Sequence, residues 1–176
     1  MRKRMLLMDL LGVLLVFTGS VASGLVINDF QSVPLPLVYV SPKDRLNGTV
    51  AAMGSNPETS VGQKLDSDVT LDEMSSMSLA ASVTILDARP EIFYRVGHIP
   101  SALSLPRDEF QDHYHALESK LSPLKEKVVV VYCSGNDCQD SQLVADALLA
   151  LGYKHVRVFR GGWDQWESAH YPKEKE

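Results

Sequence analysis

Five consecutive residues, Val128-Val-Val-Val-Tyr132, are β-branched or aromatic, with no polar residue alternating among them. Such a strand has to be buried on both faces, which is the position of a strand in a parallel sheet covered by helices above and below. The flanking sequence agrees with this. Val83 to Asp87 is a second short apolar run and Val156 to Phe159 a third. Leu143, Val144, Ala147, Leu148 and Leu151 recur at helical spacing and stop at Gly152, a residue suited to end a helix. A further helix is expected over Asp108 to Leu121, and Trp163 and Trp166 sit three apart on a closing one. Strand and helix alternating in this order imply an α/β domain built on a parallel sheet.

The first residues obey a different rule. After Arg2, Lys3 and Arg4, the run from Met5 to Ile27 holds Asp9 as its only charge and is long enough for a helix to cross a bilayer. Basic residues stay on the cytoplasmic side, so residues 1–27 are expected to anchor the chain in a bacterial inner membrane, with the remaining residues in the periplasm or outside the cell. Asp9, near the start of the run, is expected at the interface. The alternative is a cleaved signal peptide, since Ser20-Val21-Ala22 offers a small-residue cut site. Residues 28–68 contain Pro34, Pro36, Pro42 and Pro57 among Asn, Ser and Gly, and are expected to form a linker without helix. Its apolar stretch Leu35 to Val40 is expected to dock on the domain or the membrane surface. The domain proper is expected over 69–176.

Charge and cysteine usage narrow the functions. Net charge is −5, and Arg2, Lys3 and Arg4 against Asp9 supply +2, so residues 28–176 carry −7. An acidic domain is a poor partner for nucleic acid. There are two cysteines, Cys133 and Cys138, too few for a disulfide scaffold, and the five histidines are scattered without zinc-ligand spacing around them. No metal is expected, and no cofactor motif is present.

Cys133 is the first residue past the central strand, where sheets of this kind place their reactive groups. The loop reads Cys133-Ser134-Gly135-Asn136-Asp137-Cys138-Gln139-Asp140-Ser141. Its small residues permit a tight curve, and the positive end of the following helix favours thiolate over thiol. Asp140 reads as an N-cap for that helix.

Leu86-Asp-Ala-Arg-Pro90, Tyr94, Gly97-His-Ile-Pro-Ser-Ala102, Val-Val-Val-Tyr-Cys133, Leu-Gly-Tyr153 and Val-Phe-Arg-Gly-Gly-Trp163, with Trp166 and Pro172, together resemble the rhodanese superfamily from Val69 to Pro172. The resemblance implies a five-stranded parallel sheet flanked by helices, here preceded by a transmembrane helix. It also implies a cysteine that takes sulfur from a donor as a persulfide and passes it to a thiol acceptor. Cys133 matches the sulfur carrier. Asp87 and Arg89 match positions that brace the strand ends, and Gly161 and Gly162 match the turn before the last helix. Family loops usually hold about five residues between the cysteine and the first helical residue, against seven before Ser141, and they often carry a basic residue where this one has Asp137 and Asp140. These carboxylates oppose a thiolate and repel a dianion, so thiosulfate is not the expected donor. Two other functions stay open: thiol–disulfide chemistry between Cys133 and Cys138, for which the usual curl of the loop would have to rearrange, and a non-catalytic binding module.

Overall fold

In the computed structural model, which describes the backbone of residues 2–31, 38–55, 66–80 and 82–176 and the side chains from residue 9 on, residues 1–39 and 40–176 form two separate units. The first contains α1 (Arg2–Asp29), in which an 18-residue stretch within Asp9–Asp29 has a mean hydropathy of 2.3. By length and composition this helix can cross a membrane.

The second unit is organised by the strands β1 (Thr84–Asp87), β2 (Leu103–Ser104), β3 (Val128–Tyr132) and β4 (His155–Phe159), which lie parallel in the order β2-β1-β3-β4. Thr84 to Asp87 stand opposite Val129 to Tyr132, and Val128 to Tyr132 opposite His155 to Phe159. Successive side chains of an extended chain point to opposite faces. Val129 and Val131 therefore join Leu86 in one core, while Val130 and Tyr132 join Ile85 in the other. Helices supply the rest of each layer. α2 (Pro42–Ala52), α5 (Phe110–Leu121) and α6 (Asp140–Ala150) close the first core with Leu46, Val50, Phe110, Tyr114, Val144 and Leu148. α3 (Leu71–Leu79), α4 (Glu91–Val96) and α7 (Gly162–Ser168) close the second with Met74, Tyr94 and Trp166.

The fifth strand implied by the family resemblance is not formed among the described residues. The chain before α3 does run beside β4: Asp66 N–H donates to Val156 O (3.1 Å) and Val69 N–H to Val158 O (2.9 Å). These bonds advance three residues on one side and two on the other, so the pairing falls out of step instead of continuing as a ladder.

The helix α2 is a second departure from expectation, which places no helix between 28 and 68. Pro42 signals a break, yet it stands at the first helical turn, where its missing N–H costs nothing. Ser41 caps the helix by accepting from Asp44 N–H (3.1 Å). Leu46 and Val50, one turn apart, bury the inner face. Residues 35–37 of the stretch expected to dock, and residues 56–65 of the expected linker, lie outside the described residues.

Leu46→Ala is expected to leave a cavity worth about 2–4 kcal/mol. Urea unfolding of the detergent-solubilised full chain, followed by tryptophan fluorescence, measures the loss; an unchanged midpoint would mean that α2 is not part of the folded domain.

Candidate functional site

Connections leave β1 toward β2 on one side and β3 toward β4 on the other, so the order of the sheet reverses between β1 and β3. A crevice opens at the carboxyl ends of strands where this happens. Cys133 stands at that place, directly after β3 and only 2% exposed. A cleft of about 150 Å³ is lined by Ala88, Pro90, Glu91, Arg107 and Asp140 among others and meets the cysteine loop at Asp140, with Cys133 outside its lining.

Under the crevice lies a buried polar layer. The Asp87 carboxylate ends β1 with no exposure, and Arg89 holds it through Nε (3.0 and 3.1 Å) and a second guanidinium nitrogen (2.6 Å). The Tyr132 phenol donates to the same carboxylate at 2.6 Å and accepts from Ile99 N–H at 3.2 Å. Burial, with the Asp87 charge added, pushes this phenol well above its ordinary range, so it stays a donor. Burial also works against the Arg89 charge, but the hydrogen bond and charge of Asp87 raise the guanidinium above its usual value. Arg89 further donates to Gly97 O (2.6 Å) and lies 4.7 Å from the Trp163 ring centre. Asp87 and Arg89 thus tie β1, β3, the end of α4 and the start of α7 together beneath the loop.

The loop itself is pinned at its beginning. Trp163 N–H donates to Cys133 O and Asp164 N–H to Ser134 O, both at 2.8 Å. This close approach needs Gly162, whose φ is +58° and where an added Cβ would lie 2.3 Å from Cys133 O. Cys138 N–H then donates to Gly135 O (3.0 Å), turning the chain back over its own start. The turn brings Cys138 Sγ to Cys133 Sγ, and the two are joined as a disulfide with Cα atoms 6.2 Å apart. The loop stands in this disulfide form with its start still bonded to α7. Ser134, Asn136, Asp137 and Gln139 face solvent, Gly135 abuts Asp164, and Ser141 is buried in the first turn of α6.

Asp140 is not the N-cap expected of it. Gln139 occupies that position without a side-chain cap, and the Asp140 carboxylate turns to Arg107 Nε at 2.5 Å. It still lies near the sulfurs: one ligand atom each from Cys133, Cys138 and Asp140 fall within 4.8 Å of one another. Sulfurs bonded to each other are not thiolate donors, and Arg107 already occupies the carboxylate, so this grouping is not a metal site in the disulfide form. Arg107 is absent from the sequence-based site because it comes after β2, far from the cysteine loop in the chain. It offsets one of the two loop carboxylates. A Pro-Arg-Asp step just past a strand end is its only trace.

Comparison with known proteins agrees with this geometry. The sequence model of the rhodanese-like domain matches residues 70–169. A thiosulfate sulfurtransferase of Coxiella burnetii is 34% identical over 90 residues, covering 51% of this chain and 76% of that protein. An adenylyltransferase and sulfurtransferase of Candida albicans is 34% identical over 85 residues, 47% of this chain and 19% of its own length. A putative thiosulfate sulfurtransferase of Synechococcus elongatus is 32% identical over 123 aligned positions, 54% of this chain and 38% of that one. The chain thus spans about a fifth and somewhat over a third of the latter two. Among solved structures, the rhodanese-like domain of an Anabaena protein superposes with a TM-score of 0.52 at 27% identity, covering 64% of this chain and 81% of the other.

Gly162→Ala and Gly152→Ala separate the close approach from backbone strain. Both residues have positive φ, but a Cβ at Gly152 meets nothing. The strain alone costs about 1–2 kcal/mol; Gly162→Ala is expected to lose clearly more in a denaturant titration, and equal losses would remove the contact with Cys133 O as a constraint.

Proposed function

Because the chain belongs to the rhodanese-like domain family, we propose that it is a sulfurtransferase or sulfur carrier in which Cys133 holds the transferred sulfur. The observation that carries this reading is the position of Cys133, at the carboxyl end of the central strand and at the reversal of strand order. The uncapped start of α6 adds support, since free N–H groups and the positive end of a helix favour an anionic sulfur. The Cys133 thiolate attacks the sulfane sulfur of a donor, the donor's bond to that sulfur breaks, and the donor leaves as a thiolate or sulfite. Cys133 then carries a persulfide. A thiol acceptor, as thiolate, attacks the terminal sulfur, takes it as its own persulfide, and Cys133 returns as thiolate. Asp87 and Arg89 support the loop from below in this scheme and do not meet the substrate.

Arg107 pairs with Asp140, but Asp137 remains exposed at the loop. A singly charged organic persulfide therefore suits the site better than dianionic thiosulfate, even though relatives carry the thiosulfate name. The N-terminal helix is read as an anchor. Its leading Arg2, Lys3 and Arg4 favour a cytoplasmic N-terminus, which carries the domain to the outer face of a bacterial inner membrane. The Cys133–Cys138 disulfide supports the same side, because such bonds persist in oxidising compartments. It also favours a second reading, in which the two thiols do redox work.

Intact-mass analysis of the reduced full chain after thiosulfate, and separately after cysteine hydropersulfide, tests the assignment. With Cys138→Ser in place, the chain is expected to gain one sulfur that cyanide removes, and adding Cys133→Ser should abolish the gain. A Cys138→Ser chain that gains no sulfur from either donor would sink the carrier reading.

A further inference from the structure

The two sulfurs form more than a redox pair if Cys133 also carries sulfur. We propose that Cys138 is a resolving thiol, which discharges the Cys133 persulfide within the loop, releases the transferred sulfur as hydrogen sulfide and leaves the Cys133–Cys138 disulfide. The proposal rests on the persulfide assignment above and adds a fate for the sulfur that needs no separate acceptor.

Geometry supplies the first support. The Cys138 N–H to Gly135 O turn folds the loop back so that Cys138 Sγ meets Cys133 Sγ, while Cys133 O and Ser134 O keep their bonds to Trp163 and Asp164. The start of the loop thus stays pinned to α7 while the two sulfurs are joined. The attacking thiol is also part of the same short loop, and an intramolecular thiol competes at an effective concentration on the order of millimolar or above.

In the resolving step, the Cys138 thiolate attacks Cys133 Sγ and a bond forms between them. The bond from Cys133 Sγ to the outer sulfur breaks, and its electron pair leaves with that sulfur as hydrosulfide. The sulfane sulfur is reduced and the two cysteines are oxidised, so the electrons balance. Return to the dithiol then consumes an external dithiol reductant. With thiosulfate as donor, the full cycle converts thiosulfate and a dithiol to sulfite, hydrogen sulfide and the dithiol's disulfide.

Burial gives the return step a direction. Cys133 is 2% exposed in the disulfide, whereas Cys138 is partly open. A reductant therefore reaches Cys138 first, forms its mixed disulfide there and expels the Cys133 thiolate. The carrier thiol is regenerated without having been touched.

The test uses the full-length chain in detergent, reduced, freed of reductant and kept anaerobic. It is then exposed separately to thiosulfate and to cysteine hydropersulfide. Intact mass and released sulfide are read together for the wild type, Cys138→Ser, Cys138→Ala and Cys133→Ser. The wild type is expected to lose two hydrogens and to release about one sulfide per chain above the Cys133→Ser background, since one resolution yields one hydrosulfide. Both Cys138 variants should instead hold one added sulfur, with sulfide release lower by about tenfold or more, as expected when the intramolecular thiol is removed. A wild type that retains the added sulfur as fully as the Cys138 variants, without disulfide, overturns the resolving role and leaves the carrier reading standing. Cys138 variants that gain no sulfur from either donor overturn both.

Discussion

Asp87 is a carboxylate with no access to water, and the carboxyl edge of the sheet is organised around offsetting that cost. Its oxygens are taken by the Arg89 fork and the Tyr132 phenol, and each partner brings its own element along. Arg89 carries the Gly97 carbonyl and the Trp163 ring; Tyr132 is the last residue before the cysteine. Removing one partner would leave a buried charge only partly compensated, so the layer stands or falls as a unit. The loop above gains a fixed floor because strand ends, helix end and closing helix share one charge centre.

On that floor the electrostatics of the thiol are set by elements remote from one another in the chain. The start of α6 favours the anion, while Asp137 and Asp140 oppose it. Arg107, from the connection after β2, counters Asp140 directly. Arg107 also lines the cleft, so one cation both moderates the loop charge and faces whatever enters.

Legibility in the sequence divides along the same line between local and distant causes. The strand Val128 to Tyr132, the helix ending before Gly152 and the place of Cys133 are legible because burial and turn formation leave a mark on consecutive residues. The α2 helix is not, because Pro42 signals a break inside a helix and a start at its first turn, and only the Ser41 cap distinguishes the two. The fifth strand comes from resemblance alone, whereas two out-of-step hydrogen bonds along β4 depend on register that no local pattern encodes. Arg107 and Asp140 meet across 33 positions, and a residue type that serves equally as a cap gives no sign of that partner. The spacing of the two cysteines permits the disulfide, whereas the pinning of the loop start against Gly162 comes from a residue far along the chain and leaves no mark on the loop's own sequence.

The same pinning makes the two cysteines unequal. Cys133 is fixed by its carbonyl to α7 and covered, while Cys138 is partly exposed just before α6. Thiol exchange favours the accessible sulfur as the point of attack and the better-stabilised thiolate as the leaving group. Exposure assigns the first role to Cys138 and leaves the covered Cys133 as the sulfur that departs. A chain bearing these two thiols on the outer face of a membrane would tend toward the disulfide, in which the carrier is shut off from donors. In the proposed scheme sulfur transfer is therefore coupled to a supply of dithiol, and that coupling arises from one hydrogen-bonded turn placed over one buried thiol.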